Sequence, residues 1–452
     1  MTSFSALTNA AAALAAQSYG MQVTGQNIAN ANTDGYTRER VDQSATGAVS
    51  GVPTLYATSA NSAGTVATNG VSRLNDPIID AHTRTEQGLG GYADTAASTM
   101  SGVETYFNEP SNTGLTEQLN TFWNDWSAVA NNPSDSAARS ALLQQASTVT
   151  DTLHSTSAGL SDLVSGTQAS LTASVSQINT TAAAVGKLNA EISVEQATGH
   201  PDPSLLDRRD LLLGQLATLG GAQAQLQTDG STTVTLGGQT LVSGNAVGTV
   251  GVDAAGNVTV GGSAVTLTGG QAQAQSQALT STLPGYQSAL DGVASSLATE
   301  VNSTHAGGYD LAGNPGGAFF SGTTAATIGV AITNPSLVAA SSTPSAGGNL
   351  DAGNAQRIAA LGTSSTGADV AYRALVANIG SASQQASQQS TVQGAVTSSA
   401  QAMQASSSGV SYDDEVTNLL TYQRAYQASS RVLTTMDDLL NTLINRTGRV
   451  GL

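Results

Sequence analysis

Apolar residues near the N-terminus return at alternating steps of three and four: Phe4, Leu7, Ala11, Leu14, Ser18, Met21, Gly25 and Ile28. A repeat averaging 3.5 residues keeps one stripe of a helix turned toward a partner helix. A second such seam lies at the other end, through Val416, Leu419, Tyr422 or Gln423, Tyr426, Leu433, Met436, Leu440 and Leu443, with Leu420 beside it. The two patterns predict amphipathic helices over residues 3–31 and 411–445 that meet as one coiled coil. Ser411 and Asp414 have capping-box spacing, and Asp413, Asp414 and Glu415 put negative charge at the positive end of the second helix.

Energy argues that this pair does not stand alone. Ordering a residue's backbone costs about 1 to 2 kcal/mol. Burying a large apolar side chain returns about 1.5 to 3 kcal/mol. The first helix has barely one large apolar side chain per turn, and its seam is weak at Ser18 and Gly25. Two such helices need neighbours on several sides, which an assembly of copies supplies.

Between the termini, the pattern changes twice. Residues 40–72 read as short strands or an extended hairpin. Helical spacing then runs from Pro77 to Phe107, over residues 115–130, from Ser134 to Thr198 and from Ser204 to Leu219. From residue 222 to 268 the period becomes two (Val234, Leu236; Val258, Val260; Val265, Leu267), broken by Asp229-Gly230, Gly237-Gly238 and Gly261-Gly262. Helix resumes over 273–304, weak strands follow from 305 to about 340, and residues 369–407 precede the closing helix. The expected fold is mainly α with an inserted β region: a long-helix bundle, terminal helices forming a coiled coil, and a small outer β domain. Its domains are 1–40 with 409–452 (assembly), 41–221 with part of 273–408 (long helices), and 222–272 with about 305–345 (β-rich).

Composition excludes several kinds of function. The net charge is -17 and Lys187 is the single lysine, so no surface can neutralise a run of phosphates, and nucleic acid is not an expected partner. There is no cysteine, hence no thiolate metal site, thiol nucleophile or disulfide. No run of 18 apolar residues predicts a membrane span, and the start of the chain lacks the basic and strongly apolar regions of a cleavable secretory signal. His82, His154, His200 and His305 lack metal-ligand spacing and read as solvated or capping residues. The stretch Asp207-Arg208-Arg209-Asp210 reads as a charged helix face, and residues 310–317 read as a turn. No nucleophile elbow or phosphate-binding loop is present. Neither catalysis nor a cofactor is expected.

Longer motifs carry a family resemblance. Asn27-Ile28-Ala29-Asn30-Ala31-Asn32-Thr33-Asp34-Gly35-Tyr36-Thr37-Arg38 resembles the N-terminal signature shared by bacterial flagellar rod, hook and hook-associated proteins. The stretch Ser408-Gly409-Val410-Ser411-Tyr412-Asp413-Asp414-Glu415, continuing through Asn418-Leu419-Leu420 and Tyr422-Gln423-Arg424-Ala425-Tyr426, is similar to the hook-associated protein 1 family of the hook–filament junction. Rod and hook proteins tend to carry Ser-Asn-Val at the place of Ser408-Gly409-Val410. Asn131-Asn132-Pro133 before Ala137-Ala138-Arg139, the Leu205-to-Leu211 stretch, and Asn302-Ser303-Thr304-His305 before Phe319-Phe320 follow the same family's order. Two departures are the extension from Arg446 to Leu452 and a short β region.

The resemblance implies a tube in which the terminal helices line the inside and the β region faces out. It implies that Asn30, Asn32, Gly35, Tyr36 and Arg38 shape the turn that docks the first helix. It further implies export by the flagellar type III route, a cytoplasmic chaperone on the C-terminal helix, and contacts with hook protein on one side and a second junction protein or flagellin on the other. The competing expectations are a hook or distal rod protein, and a secreted adhesin or binding module displayed by the β region.

Overall fold

The computed structural model describes residues 2–46, 65–199, 202–344 and 351–446. Ten α-helices and eleven short strands occur among them. Helix α1 (Thr2–Asn30) leads through a turn into the antiparallel hairpin β1 (Glu39–Thr46) and β2 (Thr65–Arg73). There follow α2 (Pro77–Phe107), α3 (Leu115–Asn131), α4 (Ser136–Thr198) and α5 (Pro203–Gly220). Their starts are written in the sequence: the Asp76, Asp135 and Asp202 side chains each accept a backbone N–H of the first turn, and Pro77 and Pro203 open their helices. Gly199 and Gly221 end α4 and α5 with positive φ.

Seven strands then form two small antiparallel sheets. One orders β3 (Gln223–Leu226), β4 (Thr232–Leu236), β5 (Gln239–Ser243) and β6 (Ala246–Val247); the other orders β7 (Val250–Val252), β8 (Val258–Val260) and β9 (Ser263–Ala264). The chain returns through α6 (Gln271–Gln277), a π-turn at Ala278–Thr282 and α7 (Leu283–Ala306). The two-stranded sheet β10 (Phe320–Ser321) with β11 (Gly329–Val330) precedes α8 (Gly353–Leu361), α9 (Ala368–Ser408) and α10 (Tyr412–Arg446).

Helix α4, about 95 Å long at 1.5 Å per residue, is the spine of two cores. Its first half packs Leu142, Val149, Leu153 and Leu160 against α3, α7 and the start of α9. Its second half packs Leu171, Ile178 and Val185 against α5 and the β sheets. Two asparagines fix that β module by saturating backbone groups. Asn179 donates to the Val250 carbonyl and accepts from its N–H, both at 2.8 Å, and Asn189 brackets Thr232 in the same way.

Three expectations are corrected. Residues 305–345 do not join the β module: Phe319, Phe320, Ala325 and Ile328 are buried in the other core, among Phe122, Trp123 and Trp126, because large aromatic side chains find their partners there. His305 is fully buried rather than solvated; its Nδ1 donates to the Gly317 carbonyl (2.8 Å) and its Nε2 accepts from the Ala339 N–H (2.8 Å). That pairing holds the ring neutral, and burial lowers its pKa. Helix α8 forms where no helix is expected; its nine residues bury Ala355 and Ile358, too short an apolar run for its spacing to show in the sequence. The turn at 310–317 is present, with Asp310 Oδ1 accepting from the Ala312 and Asn314 N–H groups.

Candidate assembly hub

Helices α1 and α10 pair along their length and run antiparallel, with Asn27 of α1 beside Glu415 of α10 and Gly20 beside Tyr422. A Cβ on Gly20 would stand 2.7 Å from the Tyr422 ring, so glycine is what admits that ring. On α10, Val416, Leu419, Tyr422, Leu433, Met436 and Leu440 are half-buried, following the expected seam, while Leu420, Gln423 and Tyr426 are exposed. The α1 seam is rotated from the expected one. Ala10, Ala16, Gly20, Val23, Thr24 and Asn27 are the buried positions; Leu7, Leu14, Met21 and Ile28 are half-buried, and Ala11, Ser18 and Gly25 are exposed. The pairing face follows the small residues because they let the two backbones approach. The side chains of Phe4 and Leu443, and residues 447–452, lie outside what is described.

At the base of this pair, the N-terminal signature builds a polar hub. Asn27 is its centre and uses its whole side-chain amide. Its Nδ2 donates to the Glu39 carbonyl (2.9 Å) and to Glu415 Oε2 (3.1 Å), while its Oδ1 accepts from the Glu39 N–H (3.0 Å) and the Tyr36 hydroxyl (2.8 Å). Arg38 pairs with Glu415 Oε1 at 2.7 Å, and its backbone N–H donates to the Ser408 carbonyl at 2.8 Å, tying the end of α9 to the same point. Gly35 adopts φ +78 with Leu211 against it, a conformation glycine takes without penalty. Asn30 accepts from Thr33 through its Oδ1 and donates to the Gln26 carbonyl, closing the helix end, whereas Asn32 is exposed and makes no hydrogen bond among the described residues.

A second layer joins the hub to α5. Arg73 on β2 reaches Asp207 at 2.7 Å and Asp210 at 2.8 Å, and Thr37 donates its N–H to Asp207 Oδ2 at 3.1 Å. The Asp207-to-Asp210 stretch is therefore not a solvated face: Asp207 and Arg209 are buried in this joint. Burial raises the Asp207 pKa against the opposing pull of Arg73. Burial, then the Asp207 charge, raises that of Glu39, and burial with the nearby Glu39 carboxylate pushes the Tyr36 phenol well above its ordinary range. Burial likewise lowers the Arg209 pKa. Sequence reasoning named Asn30, Gly35, Tyr36 and Arg38 but missed Asn27, Glu39, Arg73, Asp207 and Asp210 as partners. Their signal was the signature's own density of asparagine and the Asp-Arg-Arg-Asp run, neither of which reveals what lies opposite.

Among the described residues, no group of acids and histidines is arranged to hold a metal ion, and no helix is long and apolar enough to cross a membrane. The cavity beneath the hub, about 980 Å³, is an open cleft lined by glutamines and threonines together with the charged Asp34, Arg73, Asp80, Arg84 and Asp210.

Residues 392–446 match the model of the flagellar basal body rod FlgEFG protein C-terminal region, and the long-helix core at residues 100–320 matches the flagellar hook-associated protein FlgK helical domain. These matches define a flagellar axial protein. The Flagellar hook-associated protein 1 of Bacillus subtilis is 29% identical over 100% of both chains, and that of Salmonella typhimurium is 27% identical over 70% of this chain and 59% of its own. The hook junction protein FlgK of Burkholderia pseudomallei shares the fold, at TM-score 0.63 and 18% identity over 72% of this chain and 99% of that one. The matches along the chain are thus to the hook-associated protein 1 family.

Proposed function

We propose that the chain is a non-enzymatic structural subunit of the bacterial flagellum at the hook–filament junction, and that copies assemble into a tubular layer through the α1–α10 pair. The observation that carries this reading is the unfinished burial of the pair. Among the described side chains of α10, Glu415 alone is buried; every apolar one stays half-buried or exposed, with Leu420 at 47%, Val432 at 49% and Leu439 at 53%. An apolar face of this length on a monomer calls for covering by neighbours.

The hook lies on one side of that layer, and a second junction protein or flagellin on the other. Before assembly, a cytoplasmic chaperone covers the α10 face, and the chain leaves by the flagellar type III route. Support for these finer points comes from the family and from the exposed face that such partners would cover.

Deleting residues 1–35 or 411–452 tests the reading. The expected product is a folded middle that is absent from purified hook–basal bodies. If either truncated chain still entered flagella, assembly through the termini would be wrong. Immunogold labelling at the hook, rather than at its junction with the filament, would instead favour a hook or rod protein.

A further inference from the structure

Helix α9 has two unlike faces. The inner one bonds to the acidic row of α2: Ser383 donates to Glu104 (2.8 Å), Ser390 to Asp94 (2.6 Å), Gln393 to Glu86 (2.6 Å) and Gln404 to Asp80 (2.7 Å). Thr397 donates to the Glu86 carbonyl at 2.9 Å, and Thr83 of α2 donates to the Ala400 carbonyl at 3.2 Å. Four carboxylates are thus satisfied by hydroxyls and amides instead of cations.

The outer face carries Val392 (64% exposed), Val396 (40%) and Met403 (51%) at helical spacing, set among alanine, serine and glutamine. Residues 374–412 contain no charged side chain and no histidine. In a chain of net charge -17, this is a long uncharged surface; of the acids beside it, Asp80 is buried and Glu86 half-buried, while Asp94 and Glu104 are exposed at its edge with their carboxylates bonded to Ser390 and Ser383.

We infer that the outer face of α9 is a lateral contact between copies of this chain in the long-helix layer, distinct from the α1–α10 pair. Two identical acidic chains repel wherever their charges come within a screening length, about 10 Å at 0.1 M salt. They approach most cheaply where neither bears charge. A basic partner would gain nothing from neutrality and would be drawn to an acidic face instead. Glutamine amides both donate and accept, so a glutamine-rich face is complementary to a copy of itself, and alanine and serine allow close approach. The exposed Val392, Val396 and Met403 supply the apolar area that a second copy would bury.

The inference rests on the reading that copies assemble in the flagellum, and the experiment separates the two. The chain has no cysteine, so Val396→Cys in the full chain takes one benzophenone-maleimide probe, with Val194→Cys on the exposed side of α4 (65% exposed) as control. Irradiation of isolated flagella is expected to join the probe at 396 to a peptide of a second copy, several-fold more often than the probe at 194. Adducts with other flagellar proteins alone, or no adduct, would overturn the lateral contact while leaving the junction assignment standing. Absence of the unmodified chain from flagella would overturn both. As a second arm, Val396→Glu with Met403→Glu is expected to keep the wild-type melting temperature and to lower the copies per flagellum several-fold. Wild-type incorporation of that variant would reject the contact.

Discussion

Around Trp126 the chain is finished; along α10 it is not. Trp126, Phe122, Phe319 and Phe320 are buried together with centroid separations of 4.9 to 6.4 Å, and Arg139 is buried too, its Nε and Nη1 donating to the carbonyls of Pro133, Pro335 and Val338, although its Nη2 and the Trp126 indole N–H have no hydrogen-bond partner among the described residues. The terminal pair has a row of alanine, glycine and valine on one helix and half-covered leucines on the other. Burial scales with side-chain size, so the first region holds itself together while the second keeps apolar surface in reserve. On the proposed assembly, folding and association would fall to different parts of one chain.

The contrast breaks most visibly in the core. Trp126→Ala is expected to cost about 3 to 5 kcal/mol in urea unfolding, because a fully buried aromatic leaves a cavity its rigid neighbours do not fill. If that loss proved under about 1 kcal/mol, the core would not be the self-sufficient half. Arg38→Ala leaves Glu415, with 3% of its side chain exposed, facing Asn27 without its guanidinium. It is expected to weaken docking of the terminal pair by about 2 to 3 kcal/mol. Hydrogen exchange should show this as lost protection in α1 and α10 with α3 unchanged.

Acid should drive the two regions in opposite directions. His305 is buried neutral with a lowered pKa, so the core's stability is full above the unfolded histidine pKa and falls as pH drops through and below it. Glu39 and Asp207 have raised pKa values, so their folded form favours the proton. Their contribution is full below the unfolded carboxyl pKa and is lost as pH rises through the folded one. As pH falls through the unfolded histidine pKa, exchange protection should fall in α3 and α7, and as it falls through the folded carboxyl pKa values protection should rise at residues 36–41; equal trends in both would refute the assignment. The smallest effects come from two glycines on α1. Gly20→Ala meets the Tyr422 ring and should destabilise the pair by about 1 to 2 kcal/mol. Gly25→Ala meets nothing within 4 Å and should stabilise the helix by up to about 1 kcal/mol. Melting of α10 followed by exchange distinguishes the signs.

Much of the fold was legible. The bounds of α2 and α5 follow from capping aspartates and prolines, and those of α3 and α10 from apolar spacing, which act within a few residues of where they are read. The α10 seam was legible because leucine and methionine announce a period. The α1 face was not, since alanine, glycine and threonine bury well but carry little hydrophobic signal, and the half-buried leucines nearby dominate any reading of the pattern. The hub was half legible. Its asparagine-rich turn is visible, but Asn27 meets Glu415 across 388 residues, and no local rule links them.

By itself, then, the sequence determined the local elements, the antiparallel-capable seams at the ends and the acidic, cysteine-free character that shuts out nucleic acid and thiol chemistry. Tertiary structure alone decided which face of α1 is covered, that residues 305–345 belong with the aromatic core, and that Asp207 and Arg209 are joint rather than surface. The physical reason is range. Helix caps and periodicity are set by neighbours along the chain, whereas burial of a polar or small residue depends on what another segment brings to it.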